Sequence, residues 1–118
     1  MAKLIDFETH KDQRGILTVS EKHGFSIKRA YWIYGTKNVR RGGHRHKKNE
    51  QILIAIVGTV RVYWSDGKAA ETIVLNTPEK GLYLKPKDWH TMEISEDGVL
   101  LVLASEEYDL QDYIDKPY

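Results

Sequence analysis

Short apolar segments with a period of two residues recur along most of the chain, and they constrain its fold more than any other feature. In the segment 59–65, Val60, Val62 and Trp64 alternate with more polar residues, as in a strand with one buried face. The predicted strands are 16–20, 26–34, 51–57, 59–65, 71–75, 82–85, 89–94 and 99–105, all rich in β-branched, leucine or aromatic residues. The segment 51–57 is apolar on both faces, which favours a central strand.

Turn signals separate these segments at regular intervals. Asp66-Gly67 and Asp97-Gly98 stand between apolar runs, where glycine accepts the positive φ of a tight hairpin turn. No ten-residue segment has helical spacing, so we expect an all-β fold, a sandwich or small barrel. The three tryptophans, at 32, 64 and 89, are expected in its core.

The length of 118 residues favours one domain, spanning 1–118. Residues 106–118 are expected to form an acidic, aromatic C-terminal tail, either solvated or in a subunit contact, and we assign it no chemistry. The chain contains no cysteine, which excludes a disulfide scaffold, a thiolate nucleophile and a cysteine zinc site. No apolar run approaches the ~20 residues of a membrane span, and the N-terminus does not resemble a secretory signal. We therefore expect a cytoplasmic protein.

Charge is distributed unevenly along the chain. Eight basic and no acidic residues lie between Lys28 and Lys48, whereas nine acidic residues and no lysine or arginine lie between Asp88 and Asp115. A formal net charge of +1 argues against general binding of nucleic acid or membranes. The basic segment suits one small anionic ligand, or else a solvated loop that faces the acidic tail.

Two histidines stand out by their spacing. His44 and His46 would share one face of a strand, and Gly42 and Gly43 precede them, where a small residue permits close approach. His90 lies in a separate predicted strand that could approach the pair.

This pair has two interpretations. As a metal site, it resembles the metal motif of cupins, but Gln51 stands where the carboxylate ligand is expected, and a neutral amide is a poor substitute. As an acid–base site, an imidazole moves protons near neutral pH. Tyrosines such as Tyr31 and Tyr34 can donate to an oxyanion, and nearby arginines can bind phosphates.

Many segments of the chain resemble one enzyme family, in the same order. They are 25–29, 31–34, 41–48, 50–51, 81–83, 89–92, 102–105 and 112–114. The family is that of the WxcM-like cupins, nucleotide-sugar 3,4-ketoisomerases acting on dTDP-4-keto-6-deoxyglucose.

The resemblance implies a jelly-roll subunit, commonly a homodimer with exchanged N-terminal strands, and catalysis without a metal or other cofactor. The sugar ketone would move from C4 to C3, giving a dTDP-3-keto-6-deoxyhexose in deoxyaminosugar biosynthesis, for example for O-antigen. His46 would be the base and His44 would assist it. The implied substrate-binding residues are Arg41 and Arg29 for the pyrophosphate. Arg14, His90, Gln51 and one of the two tyrosines, Tyr31 or Tyr34, would lie around the sugar.

The stereochemistry at C4 is less constrained. Arg14 and His90 favour the galacto product. Three other functions stay open: a metal-dependent cupin enzyme, a dTDP-sugar 3,5-epimerase, and a non-catalytic module that binds sugar nucleotides. Epimerisation would leave the ketone at C4, and a binding module would leave the hydrogen at C3 unexchanged.

Overall fold

The computed structural model describes residues 2–21, 23–37 and 39–118, and the regular secondary structure of these residues is almost entirely β-strand. The strands are β1 (Lys3–Asp6), β2 (Glu8–Asp12), β3 (Gly15–Val19), β4 (Arg29–Tyr34), β5 (Arg40–His46), β6 (Gln51–Val57), β7 (Val60–Ser65), β8 (Ala70–Leu75), β9 (Lys80–Leu84), β10 (Trp89–Ile94), β11 (Val99–Ala104) and β12 (Tyr113–Ile114). A 3₁₀ turn, Leu110–Asp112, precedes β12. No helix in the described part of the chain is long and apolar enough to cross a membrane.

Ten strands form two five-stranded antiparallel sheets. The first sheet has the order β1-β9-β6-β11-β4 and the second the order β12-β5-β10-β7-β8, whereas β2 and β3 form a separate hairpin. The prediction of an all-β fold is confirmed, and β6 lies in the middle of its sheet, as its two apolar faces indicated.

The core lies between the inner faces of the two sheets. Leu53 and Val102 are opposite each other in the first sheet, and Val62 and Met92 are opposite each other in the second. All four are buried in one apolar cluster. Complete burial of such a side chain contributes ~1.5–3 kcal/mol to folding. Two residues before Met92 in β10, the inner face of the second sheet carries His90 in place of an apolar residue. The candidate site is therefore adjacent to the apolar core.

The alternation along β4 corrects one expectation about the core. Trp64 is fully buried, as expected, and Trp89 is half-buried. Trp32 is 58% exposed, because β4 directs Arg29, Tyr31 and Ile33 inward and the intervening residues outward. The expectation of a core position for Trp32 is therefore wrong.

Four strands were not predicted from apolar periodicity, namely β1, β2, β5 and β12. The strand β5 consists of arginine, glycine and histidine, so it lacks the apolar alternation on which the prediction relied. The predicted strand 26–34 begins only at Arg29. These differences matter for function because β5 and β12 carry much of the candidate site.

Candidate active site

The C-terminal end of β5 and the N-terminal end of β10 bring three histidines together. His44 is the cross-strand partner of His90, and the register shifts immediately after His90. Gly42 lies at this shift with φ +86°, and a Cβ there would be 2.9 Å from the carbonyl oxygen of His90. Glycine is therefore required at this position for the two strands to approach closely.

The imidazole rings form a compact cluster with Tyr113. The centroid of the His44 ring lies 5.1 Å from that of His46 and 5.3 Å from that of His90. The Tyr113 ring lies 4.7 Å from His44 and 4.6 Å from His46. Both histidines of the His-x-His pair thus lie on one face of β5, as their spacing predicted, and that face is the inner one.

His46 makes one side-chain hydrogen bond, to a buried carboxylate. Its Nδ1 lies 3.1 Å from Oδ2 of Asp112, and both side chains are buried, at 5% and 4% exposure. Asp112 also accepts hydrogen bonds from the backbone N–H groups of Lys48, at 2.9 Å, and Asn49, at 3.3 Å. The other ring nitrogen, Nε2 of His46, is buried without a hydrogen-bond partner.

Burial makes the three histidines weak bases. It lowers the pKa of His46 below its ordinary value, a shift that Asp112 opposes. Burial, followed by the charge of His46, lowers the pKa of His44. Burial, reinforced by His44 and His46, lowers the pKa of His90 to about 3. Neutral imidazoles are able to accept protons, so the cluster is poised for acid–base chemistry at neutral pH.

Aromatic and cationic groups extend the site along the inner face of β4. Gln51 Nε2 donates to the hydroxyl of Tyr31 at 3.1 Å, and burial raises the pKa of Tyr31. The guanidinium of Arg29 lies 4.4 Å from the Tyr31 ring centre and 5.3 Å from that of Tyr108. The positive charge of Arg29 reaches His46, whose pKa it helps to lower.

Three of the predicted site residues lie away from the cluster in this chain. Tyr34 is 71% exposed on the outward face of β4. Arg41 lines, with Tyr34, a small cavity of about 40 Å³. Arg14 lies in the turn between β2 and β3, where its Nη2 is 2.6 Å from Oδ2 of Asp12. The side-chain amide of Gln51 donates a hydrogen bond to the hydroxyl of Tyr31, which a carboxylate at this position could not do.

Sequence reasoning missed Asp112 and Tyr113 as members of the site. The segment around Asp112 was expected to be solvated or in a subunit contact, yet Asp112 is buried against His46. The segment 112–114 contributed to the family resemblance, which was the only signal for it. Asp112 also borders a cavity of about 510 Å³ lined by Lys28, Lys48 and the acidic segment 106–109.

Across residues 2–21, 23–37 and 39–118, no group of three or more histidine, cysteine or carboxylate side chains is arranged to hold a metal ion. The side chain of Asp112, the carboxylate in contact with the cluster, is directed to a ring nitrogen of His46. The described residues therefore do not provide a metal-ligand set at the histidines.

Comparison with known proteins decides the family. The family described as "FdtA: WxcM-like, C-terminal" matches residues 1–118. The chain belongs to this family. A relative from Aneurinibacillus thermoaerophilus, a TDP-4-oxo-6-deoxy-alpha-D-glucose-3,4-oxoisomerase, is 45% identical over 117 residues, which are 95% of this chain and 84% of the relative.

Solved structures agree with this assignment. A mutant of the 3,4-ketoisomerase QdtA from Thermoanaerobacterium thermosaccharolyticum, in complex with TDP-4-keto-6-deoxyglucose, is 41% identical and has a TM-score of 0.92, with 98% of this chain and 87% of that chain covered. An RmlC epimerase from Mycobacterium tuberculosis has a TM-score of 0.83 at 17% identity, with 95% and 66% covered, and shares the fold alone. The predictions of a cupin fold and of an isomerase are confirmed: members of this family, including this chain, are isomerases.

Proposed function

We propose that this chain is a dTDP-4-keto-6-deoxyglucose 3,4-ketoisomerase that moves the sugar ketone from C4 to C3. The observation that carries the proposal is the free Nε2 of His46, buried beside His44 in a family whose relatives catalyse this reaction. The product would be a dTDP-3-keto-6-deoxyhexose, whose ketone a transaminase can convert to an amine, so we place the enzyme in cytoplasmic deoxyaminosugar biosynthesis.

The chemistry requires only proton movement. Nε2 of His46 removes the proton from C3, and that electron pair forms a double bond to C4 as the C4 carbonyl becomes an oxyanion. O4 takes up a proton and O3 loses one, with His44 assisting. Protonated His46 then returns a proton to C4, so the ketone stands at C3. One carbon is oxidised and its neighbour reduced, hence no external oxidant takes part.

The oxyanion needs a donor, and Tyr31 fits that role. Its hydroxyl accepts a hydrogen bond from Gln51, so its own proton is free to donate. Burial raises the pKa of Tyr31, which keeps the phenol protonated at neutral pH. Donors placed at a developing negative charge are often the largest single contribution to catalysis.

Arg29 is the best-placed cation for the diphosphate. Its guanidinium is held by Tyr31 and Tyr108, so the ordering of a flexible side chain is partly complete before substrate binds. Arg41 was proposed for the same role, but in one chain it lies with Tyr34 at a separate cavity. We therefore assign the diphosphate to Arg29, and His90 to the wall of the sugar pocket.

The configuration at C4 of the product depends on whether the group that removes the C3 proton also delivers the proton to C4. In the 4-keto-6-deoxyglucose ring, the C3 hydrogen lies on the face from which a proton added to C4 gives the galacto configuration. A gluco product needs delivery from the opposite face by a second group. Because His46 alone has a free, carboxylate-supported imidazole, we propose the galacto product.

We also propose a homodimer of one cupin domain per chain that exchanges N-terminal strands. The β2–β3 hairpin pairs with no other strand among the described residues, and Ile16 and Leu17 on it are 66% and 62% exposed. An isolated two-stranded hairpin is marginally stable at best, so it is expected to pack on a second copy. Arg14, at its turn, would then enter the partner's site.

The activity assay compares wild type with His46→Asn on dTDP-4-keto-6-deoxyglucose, with the ketone located by ¹³C NMR. Wild type is expected to give the C3 ketone, and His46→Asn to lose at least about 10²-fold in kcat, the low end of what a positioned base contributes. His23→Asn, a matched exchange of a histidine outside the cluster, retains activity. Normal turnover by His46→Asn would refute the assignment of the base, and a ketone that stays at C4 would refute the reaction.

A further inference from the structure

We propose that Tyr118 is a positioning residue that ties the turn between β9 and β10 to β5, and thereby helps to fix His90 relative to His44 and His46. This inference rests on the proposed function for its catalytic meaning, but it does not depend on which imidazole removes the substrate proton. Its structural content can be tested without substrate. It gives a role to part of the segment 106–118, to which the sequence assigned no chemistry.

The ring of Tyr118 packs against β5 and against the turn between β7 and β8. Gly67, in that turn, faces the ring directly, since a Cβ on this glycine would be 2.7 Å from Cδ1 of Tyr118. On β5, the guanidinium of Arg45 lies 4.0 Å from the ring centre, where a cation is attracted to an aromatic face. Nε of Arg45 also donates to the carbonyl oxygen of Lys116 at 3.1 Å. The ring is therefore held in place although Tyr118 is 55% exposed.

The hydroxyl of Tyr118 reaches the turn between β9 and β10. It donates to the carbonyl oxygen of Lys87 at 2.8 Å. Lys87 has a φ of +71°, a left-handed conformation that a residue with a side chain keeps only where its surroundings impose it. The backbone N–H of Lys87 donates to the carbonyl oxygen of His46 at 2.7 Å. Two hydrogen bonds, one from Tyr118 and one to His46, thus hold this unfavourable backbone conformation in place.

The same turn determines where β10 begins. The strand starts at Trp89, and His90 is its second residue, only three positions after Lys87. His90 is the cross-strand partner of His44, and the register between β10 and β5 shifts immediately after this pair. Because the ladder is irregular at this point, the link from Lys87 to His46 adds a second constraint on the two strands that carry the histidines. Catalytic groups need such constraints, since small displacements lower the rate steeply.

The contact between Tyr118 and β5 is made away from the imidazoles. Arg45 lies between the two histidines in the sequence, and successive side chains of a strand point to opposite faces. Just upstream of Tyr118, β12 pairs with the same part of β5, with Ile114 opposite Arg45. Tyr118 therefore acts on the histidines through the backbone of β5 and of the Lys87 turn. We expect its loss to change turnover more than substrate affinity.

The first test is amide hydrogen exchange followed by ¹H–¹⁵N NMR of the substrate-free protein, in wild type and Tyr118→Phe, which keeps the ring and removes only the hydroxyl. We expect the Lys87 amide to exchange about 2- to 10-fold faster, the ratio that corresponds to the net free energy of one hydrogen bond, and the ring signals of His46 and His90 to shift. The control Tyr63→Phe removes a hydroxyl from the outward face of β7 and should change neither. Exchange and ring signals that stay as in the wild type in Tyr118→Phe would overturn the proposal.

Kinetics on Tyr118→Ala separate a positioning role from a general loss of stability. We expect kcat to fall by about 10- to 10²-fold, as for a slightly displaced catalytic group, and the affinity for TDP to change little. Tyr118→Phe should retain more activity, because its ring still packs. A wild-type kcat in Tyr118→Ala, a loss equal to the unfolded fraction measured by circular dichroism, or a loss confined to KM would each contradict the role. Faster exchange at Lys87 in a protein that leaves the ketone at C4 would refute only the proposed function.

Discussion

The proposed role of His46 as the base requires a neutral imidazole, and burial favours that form. Burial lowers the pKa values of His44 and His46, and protonation of either ring makes protonation of the other less favourable. A base with a depressed pKa is available at neutral pH and is lost only when the pH falls through that lower value. We therefore expect the two histidines to extend the pH range in which the enzyme is active toward acid.

The pH dependence of kcat/KM tests this environment, since it reports ionisations of the free enzyme. We expect the acid limb to lie below the ordinary histidine pKa of about 6.5, with no loss of activity between pH 8 and 6.5. The measurement is the initial rate at low substrate concentration across pH 4.5–9, about the range that spans both limits. A midpoint at or above the ordinary value would show that the ring is solvated or held in its charged form, contrary to the structure.

At the scale of strands, apolar alternation was a good guide to the scaffold. The segments around Val62 and Val102 form β7 and β11, as predicted. Successive side chains of a strand point to opposite faces, and in both strands every second side chain is buried in the core. The same reasoning failed for β5, whose inward positions carry histidine. The relation of His44 to His46 was still predictable, since it depends on local geometry alone.

The contact between Asp112 and His46 could not be predicted from the sequence. This hydrogen bond joins residues 66 positions apart and depends on the pairing of the two-residue strand β12 with β5. No local periodicity reveals such a short strand. Placement of Arg14 was equally beyond prediction, because the direction of a hairpin is set by long-range packing. Tyr34 differs, since its odd spacing from Tyr31 already puts the two side chains on opposite faces of β4.

The whole molecule is expected to work as a pair. If Arg14 of one chain completes the site of the other, two variants that are inactive alone should recover activity when they form a mixed dimer. Arg14→Ala and His46→Asn, denatured together and refolded to allow mixed dimers, should regain activity, because one of the two sites then receives both native residues.

The control is each variant refolded by itself, which should stay inactive. The mixture is measured by isomerase activity, and the assembly by light scattering after gel filtration. If Arg14 acted within its own chain, every site in a mixed dimer would lack one residue and the mixture would stay inactive. A protein that elutes as a monomer and is fully active would contradict the exchange of strands.

The most direct test of the central claim, that an imidazole moves protons through an enediolate, is NMR of the sugar after prolonged incubation with EDTA-treated enzyme in D₂O. The account predicts a ketone at C3 and deuterium at C4, because repeated enolisation must exchange that hydrogen with solvent. A C3 ketone with protium alone at C4 after many turnovers would indicate a direct hydride shift, and no reaction until a divalent metal is restored would indicate a metal-dependent cupin. Either result would contradict the account.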